Sequence, residues 1–181
     1  MLLFVNGCVR ENSRTLDLAK AVLAKETQEI EEVSLYADGP EGLTPETLRL
    51  REELIQKKEF DHPIFRYATQ FAKADTIVVA APYWDLMFPT RVRAYFEAVT
   101  VVGVTVRYSP EGIPMGLCRA SRLIYVTTAG GPIEHNFGFD YVDALAKGFY
   151  GIPNTRLVKA EGLDLMGADP AAILDAVKRE L

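Results

Sequence analysis

Short apolar runs alternate along this chain with longer stretches whose apolar residues return every three or four positions. The runs lie at 2–6 (Leu2-Leu3-Phe4-Val5-Asn6), 30–35, 76–81, 122–128 (Arg122-Leu123-Ile124-Tyr125-Val126-Thr127-Thr128) and 155–160. Their length and β-branched content predict strands, and their near-continuous hydrophobicity predicts cover on both faces. The stretches at 14–26, 45–58, 64–73, 89–101, 138–149 and 170–180 carry amphipathic helical spacing. Such alternation predicts a parallel sheet between two helical layers. Five strands fit a doubly wound, three-layer α/β/α plan of strand order 2-1-3-4-5, as one domain over residues 1–181. In that plan ligands bind outside the carboxyl ends of the first and third strands, where the winding reverses.

The connections add detail. Residues 36–44 are rich in Gly, Pro and acid and predict a surface loop. Thr44-Pro45-Glu46-Thr47 predicts a helix start with Pro at its first position. The charged run Arg49 to Lys58 then predicts a solvated face, and residues 104–117 a turn-rich excursion. Tyr95, Phe96, Val99, Val101 and Val102 suit either the core or a subunit-facing surface.

Polar chemistry gathers at the predicted strand ends. Strand one leads through Asn6-Gly7 into Cys8-Val9-Arg10-Glu11-Asn12-Ser13-Arg14-Thr15, just where a helix begins. Gly7 permits a tight exit. Free N–H groups and the positive dipole end at a helix start favour an anion. Arg10, Ser13, Arg14 and Thr15 add donors suited to phosphate oxygens, although Asn12 or Ser13 equally suits a plain helix cap. The loop is neither G-x-G-x-x-G nor the Walker sequence. After strand three stands Pro82-Tyr83-Trp84-Asp85-Leu86-Met87-Phe88-Pro89, and after strand four Thr128-Ala129-Gly130-Gly131-Pro132. The aromatics also suit plugs for a sheet edge, and the glycines an ordinary turn. Taken together, the three connections offer an anion cradle, an aromatic wall and bare backbone that a planar ligand can approach. A phosphorylated aromatic heterocycle such as flavin mononucleotide (FMN) has matching parts.

Bulk properties narrow the classes. With 181 residues and 49% hydrophobic content the chain suits one sizeable core, burying about 70% of the unfolded surface. A net charge of -5 argues against a general nucleic-acid binder. No run approaches the ~20 apolar residues of a membrane span. The opening run is too short for a secretory leader, so a cytoplasmic protein is expected. Cys8, Cys118, His62 and His135 are too few and too scattered for a disulfide framework or metal set. Cys8 suits an inert small residue, though Arg10 nearby favours its thiolate. His135 suits a surface residue more than a proton donor. Phe137, Phe139 and Tyr141 suit helix-start packing or the border of a pocket.

The order of these segments resembles the flavodoxin-fold NAD(P)H:FMN oxidoreductases, in the branch of FMN-dependent NADH-azoreductases and quinone reductases. G-C-V-R-E-N-S-R-T is similar to that family's G-S-P-R-x-x-S-x-S/T phosphate loop, and P-Y-W-D-L-M-F-P to its aromatic segment. Helix 91–102, Gly103 to Tyr108, T-T-A-G-G, Gly151-Ile152-Pro153 and Ala160-Glu161-Gly162-Leu163-Asp164 continue the pattern, which is weakest at 36–66. The resemblance implies an FMN phosphate among Cys8, Arg10, Ser13, Arg14 and Thr15. It puts the isoalloxazine against Pro82, Tyr83, Trp84, Asp85 and Leu86, with Thr128, Ala129, Gly130 and Gly131 at its pyrimidine edge. Cys8 replaces the family's usual Ser, and a thiol is the weaker donor. An ionised Asp85 beside flavin N5 would disfavour reduction, so its backbone N–H is the expected contact and its side chain turns outward.

The same resemblance implies NADH or NADPH as a transient donor and two-electron transfer through N5. A quinone, azo compound or similar flat acceptor then follows in a ping-pong cycle. It also implies a homodimer whose neighbouring loops complete each pocket. No nucleophilic side chain is required. Three rivals share the fold. A flavodoxin-type carrier usually has a T-G-x-T loop and a strongly acidic surface. A receiver or phosphatase needs an Asp at the end of a central strand, and a flavin-free relative keeps the fold without the activity.

Overall fold

β1 (Leu2–Asn6) is buried along its whole length and lies at the heart of the computed structural model, which describes residues 1–181. The chain continues through α1 (Arg14–Leu23), β2 (Ile30–Ser34), α2 (Pro45–Lys57), α3 (Arg66–Lys73), β3 (Thr76–Ala80) and α4 (Thr90–Val99). Then follow β4 (Val106–Tyr108), β5 (Pro114–Gly116), β6 (Arg122–Thr128), α5 (Phe137–Leu145), β7 (Asn154–Ala160) and α6 (Pro170–Arg179). The main sheet is parallel, in the order β2-β1-β3-β6-β7. This is the expected 2-1-3-4-5 once the small pair β4–β5 is set apart. Within the turn-rich excursion at 104–117 that pair forms an antiparallel hairpin, in which Val106 faces Gly116 and Tyr108 faces Pro114. Strands of three residues are too short to show a period.

Alternation along the strands divides the core into two layers. Leu3, Val5, Ile77, Val79, Leu123 and Tyr125 pack with Phe71, Val92, Tyr95, Phe96, Val99 and Tyr150. Leu2, Phe4, Val78, Ala80, Ile124 and Val126 pack on the other side with Leu18, Ala19 and Val22 of α1 and Leu174 of α6. Each Val, Leu, Ile or Phe side chain among them contributes roughly 1.5–3 kcal/mol on leaving water. Tyr95, Phe96, Val99 and Val101 are therefore core, whereas Val102 is exposed. Edge strand β2 is covered less: Ile30, Glu31 and Glu32 are exposed and Val33 is buried.

Helix α2 starts as expected, with Thr44 and Thr47 in a reciprocal capping box and Pro45 at the first position. Its charged run is not wholly solvated. Leu54 is buried with Phe65, Ala68 and Val101. Arg51 is only 7% exposed, and its guanidinium donates to the carbonyls of Glu97 and Thr100, each at 3.0 Å. These groups belong to the end of α4, where unpaired carbonyls and the negative dipole end attract a cation. Periodicity reads Arg as polar. Only the neighbouring helix supplies the acceptors that let it be buried.

The register aligns the strand ends that build the site. Asn6 pairs with both Ser34 and Ala80, Ala80 with Val126, and Thr128 with Ala160. Gly7 N–H then donates to Ala80 O at 2.8 Å, Ala81 N–H to Val126 O at 3.0 Å and Ala129 N–H to Ala160 O at 3.0 Å. The connections after β1, β3, β6 and β7 thus leave one edge of the sheet side by side.

Candidate functional site

At that edge lies a cavity of about 430 Å³, within the roughly 300–1,000 Å³ usual for small-ligand sites. It is lined by Arg10, Ser13, Arg14 and Thr15 from the first connection, Pro82, Tyr83 and Trp84 from the third-strand connection, and Thr128, Ala129 and Gly130 after β6. Three segments separated by long stretches of chain therefore converge as expected. Cys8, Asp85, Leu86 and Gly131 stand outside the lining.

The first connection turns out of β1 through a narrow passage. A Cβ on Gly7 would lie 2.6 Å from Val92 and 3.0 Å from Ala80 O, so only glycine passes between the sheet and α4. Asn6 shapes the next step by accepting from Cys8 N–H at 3.0 Å. The Cys8 thiol points towards Ala80 O, 4.0 Å away. Burial, foremost, pushes its pKa upward; the hydrogen bond with Ser13 opposes this and the Glu32 charge adds to it. Cys8 is thus the inert small residue that its sequence suits, and the alternative of a thiolate favoured by Arg10 gives way to desolvation.

At the start of α1, Ser13 is the N-cap and its Oγ accepts from Leu16 N–H at 3.2 Å. The N–H groups of Arg14 and Thr15 donate to no backbone carbonyl and remain available at the positive end of the helix. The two arginines differ. Arg10 is exposed and takes part in no ion pair, whereas Arg14 Nη1 donates to Asp164 Oδ1 at 2.7 Å. The Thr15 hydroxyl is buried and shares a 2.7 Å hydrogen bond with that of Thr128.

The connection after β3 forms a tight turn. Trp84 and Met87 exchange backbone hydrogen bonds of 2.9 and 2.8 Å, while Asp85 (φ 50°) and Leu86 (φ 67°) take left-handed conformations. Positive φ at both central residues is the twist of a type I′ turn, normally met by Asn-Gly. Asp85 and Leu86 are exposed and their amides donate to no backbone carbonyl. Tyr83 N–H extends the sheet by donating to Thr128 O at 3.1 Å, and its hydroxyl donates to His135 O at 2.9 Å. His135 and Phe137 are exposed and stacked, 5.8 Å between ring centres, at the entry to α5.

The glycines after β6 play unequal parts. Gly131 faces open space, but a Cβ on Gly130 would come within 2.3 Å of Asp164 Oδ2. The bare backbone at 130 thus makes room for a side chain of this protein. Val9, Asn12, Leu163 and Asp164 complete the lining and were not among the expected site residues. The signal for the last two was available: β7 is a fifth parallel strand, and its carboxyl end opens at the same edge.

An anion-binding helix start, an aromatic wall and a Gly-rich turn thus share one crevice. The donor set suits a phosphate, and Pro82, Tyr83 and Trp84 suit a flat ring, so the residues fit FMN. An open parallel sheet with its crevice at the β1/β3 switch point defines a flavodoxin-like α/β protein. More closely, the chain belongs to the Flavodoxin_2 family, whose model, described as a flavodoxin-like fold, matches residues 2–181. It is similar to FMN-dependent NADH:quinone oxidoreductase 2 of Clostridium acetobutylicum, 36% identical over 156 residues that cover 83% of this chain and 76% of that protein. It is also similar to FMN-dependent NADH:quinone oxidoreductase of Coprothermobacter proteolyticus, 32% identical over 93% of this chain and 89% of that protein. Among solved structures, an azoreductase from Bacillus anthracis superposes with a TM-score of 0.84 at 24% identity, over 99% of this chain and 95% of the other. At that identity the likeness concerns the fold.

Proposed function

We propose that this protein is an FMN-dependent NADH oxidoreductase that delivers two electrons to a quinone, an azo compound or a similar flat acceptor. The convergence of the β1, β3 and β6 connections on one cavity, which brings anion donors and an aromatic wall into the same lining, carries the reading. Curated relatives that bear the name FMN-dependent NADH:quinone oxidoreductase support it.

Bound FMN would supply the two-electron hydride chemistry at N5; the chain's residues bind it and set its surroundings. Arg10, Arg14 and the free amides of Arg14 and Thr15 would hold the phosphate. Pro82, Tyr83 and Trp84 would support one face of the ring system. The amides of Gly130 and Gly131 donate to no backbone carbonyl, and would stabilise negative charge at the pyrimidine edge. The opposite face of the ring system would be left open. There the nicotinamide donor and the flat acceptor bind in turn, which makes the cycle ping-pong.

A homodimer belongs to the same proposal. Leu43, Leu48, Ile55, Phe96, Tyr141 and Leu145 line an apolar groove between α2, α4 and α5, with Leu43 and Leu48 41% and 44% exposed. A 20.1 kDa species with bound flavin on a sizing column would exclude it. The absorption spectrum of the purified protein tests the function. A flavin spectrum bleached by NADH and restored by a quinone is expected; bleaching only through a partner reductase would make it a carrier instead. Parallel double-reciprocal lines are expected of the cycle, and intersecting lines would refute it.

A further inference from the structure

Asp164 has no task in the reading above, although it lines the cavity. It follows β7 and is tied to the Gly-rich turn, where its N–H donates to Gly130 O at 2.8 Å. Glycine at 130 admits its carboxylate, as a Cβ there would lie 2.3 Å from Oδ2. Oδ1 accepts from Arg14 of the first connection, while Oδ2 accepts from no protein donor. Asp164 therefore joins the first connection to the Gly-rich turn after β6.

Folding stability does not account for this placement. The Asp164 side chain is 67% exposed and that of Arg14 42%, and an ion pair so open to water contributes little. A carboxylate in a crevice built for an anion would also weaken phosphate binding, were that its only effect. Ionised Asp has acceptors and no donors, so it suits neither a phosphate nor a ring carbonyl. It suits donors, and FMN offers the ring N3–H and the ribityl hydroxyls. The hydroxyls lie between phosphate and ring, as Asp164 lies between Arg14 and the Gly-rich turn. Lumiflavin, which keeps the N3–H and lacks the hydroxyls, separates the two.

We propose that Asp164 is a cofactor-binding residue: its free oxygen accepts hydrogen bonds from the ribityl hydroxyls, and its other oxygen holds Arg14 at the phosphate end. The inference rests on the FMN reading and assigns the recognition of the polyol to this side chain. Cys8 lies outside the lining, the buried hydroxyls of Thr15 and Thr128 are engaged with one another, and Asp164 is the only carboxylate among the lining residues.

Titration of the full-length, flavin-stripped chain with FMN, riboflavin and lumiflavin, followed by flavin fluorescence, tests it. Riboflavin keeps the polyol without the phosphate, and lumiflavin has neither. Asp164→Ala is expected to weaken FMN and riboflavin by about tenfold or more, since hydrogen bonds to charged groups are the stronger class. Lumiflavin affinity and the melting temperature should stay unchanged. D164N, which retains one acceptor oxygen, should recover part of the riboflavin affinity. Loss of FMN affinity with riboflavin unchanged would mean that Asp164 acts only through Arg14 and would overturn the inference. So would equal or tighter FMN binding. A wild-type chain that binds none of the flavins would overturn the FMN reading and this inference together.

Discussion

The hydroxyls of Thr15 and Thr128 share a hydrogen bond of 2.7 Å that joins the first turn of α1 to the last residue of β6. Both residues are buried, at 1% and 8% exposure. This contact fixes the distance between the two connections that would hold the phosphate and the pyrimidine edge. Either hydroxyl alone would be a buried polar group without its partner. Thr128→Val is therefore expected to cost about 1–3 kcal/mol in urea unfolding. The double variant T15V/T128V should lose clearly less than the sum of the single changes. Additive losses would mean that the pair does not act as a unit.

Arg51 reaches from α2 to the terminal carbonyls of α4. Burial lowers its pKa and the Glu97 charge opposes that shift. Arg51→Ala leaves two carbonyls short of a donor and should destabilise the fold by about 2–3 kcal/mol. Arg51→Lys should recover only part of the loss, because an ammonium lacks the planar fork that spans both acceptors. Full recovery would show that charge alone suffices. Denaturant unfolding of the three proteins decides it.

The Asp85–Leu86 turn holds two side-chain-bearing residues at positive φ. A left-handed conformation costs a residue with a side chain roughly 1–2 kcal/mol, while the greater freedom of glycine in the unfolded chain takes back about 0.4–1 kcal/mol. Leu86→Gly is thus expected to raise stability by about 0.5–1 kcal/mol, from the difference of those terms. Leu86 is 49% exposed, so little packing is lost. A lower melting temperature would mean that the Leu86 side chain stabilises the turn by more than its strain costs.

The two thiols should be unreactive at neutral pH. Burial raises the pKa of Cys8 above its ordinary 9.0 and that of Cys118 to about 12. Iodoacetamide labelling of the folded protein should be slow at pH 7–8 and should accelerate only above pH 9. The sign for stability follows from the same shifts. Groups with raised pKa values contribute stability that is complete below pH 9.0 and is lost as pH rises through their folded values. Cys8→Ser should leave FMN affinity within about twofold, since residue 8 does not line the cavity. A gain well beyond that would place the side chain of residue 8 against the phosphate.

Much of this was legible along the chain because the relevant forces are local. Strands covered on both faces need continuous apolar runs, and helices need one apolar stripe, so β1, β3 and β6 and the helices between them declared themselves. Their alternation implied the strand order, and the strand order placed the three connections at one edge. The short β4–β5 hairpin escaped, since three residues carry no period.

What the tertiary structure decided was the choice of partners. Arg14 and Asp164 are 150 positions apart, and no local pattern distinguishes a guanidinium facing water from one facing that carboxylate. Arg51 reads as a solvated charge until α4 presents its carbonyls, and how far the Cys8 thiol is removed from water is set by the segments packed around it. Periodicity reports which side of an element avoids water. The partner that a buried or paired polar group meets depends on which distant segment packs there, and that is settled only when the whole chain closes on itself.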